Sequence, residues 1–152
     1  MEQGYIPKTL SFDDEARQKL ITGITKISKA VKSTLGPLGK TVLLESPNHT
    51  SGMTVTKDGV TVAESVFLDD PIENLAVRMM KEASSRTAQS AGDGTTTAIV
   101  LTEALVKAGQ QTLTSESNTT EVIRYINEHT ADIISCLQSA SKEVTEERLL
   151  DV

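Results

Sequence analysis

A mainly helical fold with one small β-hairpin is what this sequence predicts, on three observations. Apolar residues recur at three- and four-residue spacing in four separate stretches, as they do along one face of a helix. Those stretches open on capping residues or prolines, and the first three close on glycines. Only two short runs, TVLLE (41–45) and MTVT (53–56), have the β-branched character of strands.

The first helix is carried by Ala16, Leu20, Ile24, Ile27 and Val31, with Ser11 and Asp14 as an acidic variant of the capping box. It is expected from about residue 12 to about residue 34, ending in LGPLG, because Pro37 disfavours a helical Gly36. The two strands follow, and the polar SPNHTSG between them reads as a hairpin tip or loop. In TKDGVTV, Asp58-Gly59 reads as a turn dipeptide. The second helix opens at DDPIEN, with Asp70 as cap and Pro71 in the first turn, and is broken at Gly92. Leu75, Ala76, Met79, Met80 and Ala83 are its expected buried face. The third helix follows DGTTT, with Ala98, Leu101, Ala104, Leu105 and Ala108 in period and Gly109 at its end. The fourth starts at Asn118 or Thr119 and carries Val122, Ile126, Ile133 and Leu137 on one side. The second and third helices are also apolar at Val77, Ile99, Val100 and Val106, so they expect cover on more than one side.

Composition narrows the function classes. The net charge is −6 and no cluster of lysines and arginines occurs, which argues against a nucleic-acid or anionic-membrane surface. No apolar run approaches the ~18 residues of a membrane span, and the first residues lack the apolar core of a secretory leader. A single cysteine, Cys136, permits neither an intrachain disulfide nor a cysteine-built metal site. These features together predict a cytoplasmic protein. Cys136 and the methionines Met79 and Met80 read as packing residues, and His49 and His129 as a loop and a helix-face residue.

The chemistry concentrates in AGDGTTTAIVL (91–101). Three threonines are poor residues with which to start a helix. They make sense if the helix end holds a ligand. A helix N-terminus offers unpaired amides and a partial positive charge to phosphate, and hydroxyls add donors. Asp93 would repel a polyphosphate unless it holds Mg²⁺, which prefers carboxylate and phosphate oxygens. On spacing alone, an ordinary helix cap explains Asp93 equally well. No lysine follows the glycines, so this is not a Walker A loop. STLGPLGK supplies a second glycine turn at a helix end, and TKDG another carboxylate on a turn; each alone reads as a helix stop or a plain turn.

Together and in this order, TLGP, TKDG and AGDGTTTA resemble the group I chaperonins, the GroEL-type family of bacteria and their organelles. The likeness extends from about residue 9 to about residue 140, and KDG and DDPIEN are similar to group I rather than group II. It implies the N-terminal part of a helical equatorial domain over residues 1–140, with 141–152 beginning the connection to an intermediate domain. It also implies ATP and Mg²⁺ as cofactors, with K⁺ as a monovalent ion. By position, Thr34, Leu35, Gly36 and Pro37 would lie against the nucleotide; Asp93 would bind Mg²⁺; Gly94, Thr95, Thr96 and Thr97 would hold phosphates. Lys57 would lie near the phosphates and the monovalent-ion site through its carbonyl, and Asp58 would be the catalytic carboxylate that positions or activates water. The implied partners are unfolded protein clients, held by an apical domain outside this chain, further copies in a homo-oligomeric ring, and a co-chaperonin. The hairpin resembles one that pairs with a neighbouring subunit's terminus.

Leu38 stands where the family has a basic residue, Thr41 where it has Asn, and ESPNHTSG is about two residues longer than the family loop. The implied whole is a protein-folding ATPase; hydrolysis by these 152 residues alone is not expected, because a second acid and half the pocket lie outside them. The alternative is a non-catalytic module that joins or modulates rings of full-length chaperonin. An unrelated phosphotransferase is a weaker third reading, lacking an identifiable acceptor pocket and base.

Overall fold

The computed structural model describes residues 9–45, 52–114, 116–142 and 144. Its elements are α1 (Asp13–Lys32), β1 (Val42–Glu45), β2 (Met53–Thr56), α2 (Gly59–Ser65), α3 (Pro71–Ala91), α4 (Thr95–Thr112) and α5 (Thr119–Ala140). The chain divides into two compact units, Met1–Gln111 and Thr112–Val152. The fold is mainly α with one small antiparallel sheet, as the sequence predicts.

Cap chemistry explains where α3 lies. Asp70 Oδ1 accepts from the amides of Ile72 (2.9 Å) and Glu73 (3.1 Å), and Pro71 opens the first turn. Gly92 ends the helix in the left-handed conformation, φ 76°, and donates its amide to Ala88 O at 2.8 Å. At α1 the predicted capping box does not form. The helix starts one residue after Phe12, so Ser11 lies outside the cap position; its hydroxyl is buried, with no hydrogen-bond partner among the described residues. Asp13, Asp14 and Glu15 still place negative charge in the first turn.

TKDGVTV is a second departure. Asp58-Gly59 is not a simple turn but the cap and first residue of α2, which the β-branched composition concealed. Burial decides the outcome: Val62 and Ala63 enter the core, and packing overrides a weak local preference. β1 and β2 pair antiparallel with Val42 opposite Thr56 and Glu45 opposite Met53. The predicted hairpin tip and His49 lie outside the described residues.

Ile27 and Val31 of α1, Val62 and Ala63 of α2, Val77 and Met80 of α3, and Ile99 of α4 form the core of the first unit. α1 and α3 approach so closely at Gly23 that a Cβ there would stand 2.3 Å from Glu73 O. Lys26–Glu73 (2.5 Å) and Lys19–Asp70 (3.1 Å) bridge the same two helices.

The buried faces of α3 and α4 differ from those the spacing predicts. α3 buries Ala76 and Met80 as predicted, with Val77 and Ser84 besides, while Leu75, Met79 and Ala83 are exposed. α4 buries Thr95, Ile99 and Glu103; Leu101 and Leu105 are exposed. Where apolar residues encircle a helix, period alone does not say which side meets the core. α4 also continues through Gly109 to Thr112, since a lone glycine weakens a helix without ending it.

α5 is capped by Asn118, whose Oδ1 accepts from Glu121 N at 3.3 Å. None of its residues is buried: Ile126, Ile133 and Leu137 are exposed, and Cys136, expected as a packing residue, is exposed too. His129 is exposed as expected, with Nδ1 3.7 Å from Asp132.

Glu103 is the buried charge the spacing did not reveal. Its carboxylate binds Lys32, at the end of α1, and Lys107, one turn further along α4 at 2.6 Å. Burial pushes its pKa up, but the hydrogen bonds from Lys107 and Lys32 outweigh that and hold it below the usual value. A depressed folded-state pKa contributes stability that is complete above the unfolded value, about 4.3, and lost as pH falls through the lower folded value. Thermal midpoints measured across that acidic range should therefore fall more steeply for the unaltered chain than for Glu103→Gln; parallel curves would show that the carboxylate carries no such linkage.

Candidate nucleotide site

Three loops that are remote in sequence meet beside α2. The first is the end of α1, where Thr34 N and Thr34 Oγ1 both donate to Val31 O, at 3.1 and 2.8 Å. This double bond pins the threonine as the helix unwinds. Leu35, Gly36 and Pro37 then form an exposed loop, with Gly36 at φ 77°. Lys40 N returns to Ser33 O at 2.7 Å and closes it.

The second is the β2–α2 junction. Asp58 accepts from Val60 N (3.2 Å), Thr61 N (3.0 Å) and Thr61 Oγ1 (2.6 Å). The Thr61 hydroxyl, then its amide, hold the carboxyl below its usual pKa against the opposing effect of burial. Asp58 is thus an ionised carboxylate committed to the N-terminus of its own helix. Lys57, next to it, is exposed.

The third is the α3–α4 turn. Gly92 (φ 76°) and Gly94 (φ 89°) flank Asp93, so both glycines serve the chain reversal and leave Asp93 exposed at its apex. Asp93 Oδ1 accepts from Gly94 N at 2.6 Å; among the described residues its Oδ2 has no partner. Thr95 is buried, and its carbonyl accepts from Ser84 Oγ at 3.3 Å. Thr96 is half-buried and Thr97 exposed, both in the first turn of α4.

Gly59 is where the three meet. A Cβ on it would stand 2.2 Å from Thr96 Oγ1 and 3.2 Å from Thr34 Oγ1. The hydroxyls of TLGP and GDGTTT thus converge on the glycine of KDG. The structure joins Thr34, Gly59 and Thr96 directly, with Asp58 adjacent in the chain; Leu35, Gly36, Pro37, Lys57, Asp93, Gly94 and Thr97 stand on the same three segments without direct contacts among them that define a pocket.

The donor set suits Mg²⁺ with phosphate: a carboxylate oxygen of Asp93 without a partner, hydroxyls, and a helix start. Glu103 is the neighbour that sequence reading missed; the only cue was Lys107 four residues on. A cleft of about 400 Å³ lies elsewhere, between α2 and α3, lined by Glu64, Lys81, Glu82, Ser85, Arg86 and Gln89. There Lys81 donates to Glu64 O at 2.6 Å and sits 4.1 Å above the Phe67 ring.

The comparisons with known proteins concern the family and the fold. The family model of the TCP-1/cpn60 chaperonin family matches residues 27–152. Chaperonin gp146 of bacteriophage EL 2 (Pseudomonas aeruginosa), crystallised in the presence of ATP-BeFx, superposes in crystal form II with a TM-score of 0.73 at 30% identity. That match covers 86% of this chain and 22% of the phage chain. Crystal form I of the same protein gives 0.56 at 36% identity, over 61% of this chain and 16% of the other. The chain belongs to the TCP-1/cpn60 chaperonin family, and its fold is that of the chaperonin equatorial domain. It spans about a fifth of the length of the phage chaperonin in the fuller match. Among the described residues no helix is long and apolar enough to cross a membrane.

Proposed function

We propose that this chain is the N-terminal part of a group I, ATP-driven chaperonin subunit and that it binds Mg-ATP at the TLGP, TKDG and GDGTTT segments. The single observation that carries this reading is the convergence of Thr34 and Thr96 on Gly59. The helices that carry these segments pack through Val31, Val62 and Ile99, and that packing also brings two hydroxyls and a Cβ-free backbone to one point. Family membership supports it, as does the ATP-BeFx under which the phage relative was crystallised.

In this reading Thr34 and the 35–37 loop line one side of the nucleotide, and the amides and hydroxyls of Gly94, Thr95, Thr96 and Thr97 receive phosphate oxygens. Asp93 would hold Mg²⁺, and the ion would supply neutralising charge for a phosphoryl transfer to water. The Lys57 carbonyl would be a ligand for K⁺. Asp58, with its pKa depressed, is a weak base but a permanent acceptor. It therefore orients a water by accepting a hydrogen bond rather than by removing its proton early. Ring assembly with further copies, unfolded clients, a co-chaperonin and a cytoplasmic location belong to the complete subunit under the same reading.

Calorimetric titration of the chain with Mg-ATP tests it: saturable binding supports the site, and none, with rings of full-length chaperonin captured instead, supports the non-catalytic module. Asp58→Asn keeps an oxygen to cap α2. It should leave Mg-ATP affinity within about twofold in the complete subunit while lowering turnover by about 10²-fold or more. Equal turnover would remove Asp58 from the chemistry.

A further inference from the structure

We propose that Glu103 is a positioning residue for the nucleotide site: through Lys32 it fixes α4 against the end of α1, and so holds the Thr96 hydroxyl beside Gly59 and Thr34. The inference rests on the Mg-ATP reading and goes beyond it, because Glu103 lies outside the three motifs. The buried residues of α4 are Thr95, Ile99 and Glu103, about one per turn. Of these, Ile99 alone contributes an apolar side chain to the core. With Ile99 its one fully buried apolar side chain, and Ala98, Val100 and Val106 only half-buried, α4 gains a fixed tilt from a second buried anchor. Glu103, only 3% exposed, is that anchor.

The two lysines are not equivalent. Lys107 lies on α4 itself, so its bond to Glu103 neutralises charge without tying the helix to anything else. Lys32 is the last residue of α1, two before Thr34, and its bond crosses between elements. Glu103 is seven residues beyond Thr96, roughly 10 Å along the axis. Releasing the Lys32 end leaves a buried carboxylate with one partner on its own helix. It will move toward water, and the far end of α4 moves with it. A shift of about 1 Å at Thr96 is enough to spoil a positioned hydroxyl.

Lys32→Met and Lys107→Met each remove one positive charge and one bond to Glu103, so their comparison isolates position from charge. Calorimetry with Mg-ATP and hydrogen exchange at the Thr97–Ile99 amides are the two readouts. Lys32→Met and Glu103→Gln should each weaken binding about tenfold and speed that exchange, while Lys107→Met stays within about twofold of the unaltered chain in both. Equal losses in the two lysine variants would overturn the proposal. So would loss in Lys32→Met with Glu103→Gln unchanged, which would mean that Lys32 meets phosphate directly. If Glu103→Gln does not fold, the two lysine variants decide alone. If the unaltered chain binds no Mg-ATP, the nucleotide reading fails. The exchange rates then still judge the clamp: selective acceleration in Lys32→Met upholds it and uniform rates refute it.

Discussion

Asp93→Ala should abolish magnesium-dependent nucleotide binding while leaving the fold intact. The two halves of this expectation have separate physical grounds. Asp93 is exposed at the apex of a turn whose shape is set by Gly92 and Gly94, and among the described residues its one hydrogen bond is accepted from the neighbouring Gly94 amide. Removing the carboxylate empties no core space and leaves no buried partner unsatisfied, so stability should change by no more than about 0.5 kcal/mol. For a ligand the loss is severe. A hard divalent ion between phosphate and protein depends on anionic oxygen, and none of the hydroxyls of Thr95, Thr96 or Thr97 replaces it. Without the ion, the phosphates meet only the partial charge of a helix end, worth about 1 kcal/mol at an exposed position. Titration with ATP in the presence of Mg²⁺ and of a chelator measures the difference. The unaltered chain should show a gap of about 10²-fold or more between the two, and Asp93→Ala none. Retained magnesium dependence in the variant would place the ion elsewhere.

How much of this was legible beforehand follows from what each feature depends on. The ends of α3 were readable because caps are local: Asp70, Pro71 and Gly92 act on amides and carbonyls within a few residues. α2 was not, because its seven residues have strand-like composition and become helical only by burying Val62 and Ala63 against other elements. The inward face of α3 was legible only in part, at Ala76 and Met80, and that of α4 was misread, for a related reason. Met79 and Leu105 fit the helical period as well as Met80 and Ile99 do, and only tertiary contact chooses between them. At the site, the glycines and threonines were identifiable from their cost to local structure. The meeting of Thr34 with Thr96 over Gly59 was not, since it joins positions 62 residues apart, 96 minus 34, through a third segment. Glu103 was hidden for the same reason: a glutamate four residues before a lysine reads as a solvated pair until Lys32 arrives from another helix.

The second large effect concerns Gly23, and here local and tertiary rules oppose each other. Gly23 is in the interior of α1, where alanine is favoured by about 1 kcal/mol on helix propensity alone. By that rule Gly23→Ala should stabilise the chain. The structure predicts the reverse. An added Cβ would stand 2.3 Å from Glu73 O, 2.9 Å from Glu73 C and 3.0 Å from Glu73 Cα. All three atoms are backbone, so no rotamer change relieves the contact. Nor can the first turn of α3 retreat freely, because Asp70 caps it and the Lys19–Asp70 and Lys26–Glu73 bridges draw it toward α1. Overpacking of this kind costs about 1–3 kcal/mol and should exceed the propensity gain. Urea unfolding of the chain should therefore show a lower midpoint for Gly23→Ala, and a lower one still for Gly23→Val. Gln18→Ala, on the exposed side of the same helix, should stay within about 0.5 kcal/mol and serves as the propensity control. A raised midpoint in Gly23→Ala would mean that the two helices do not meet at this point. Under the proposed Mg-ATP reading the site would feel the change as well, since α1 pushed away from α3 would carry Thr34 with it, and Mg-ATP affinity should fall in the folded Gly23→Ala chain although position 23 lies outside all three motifs.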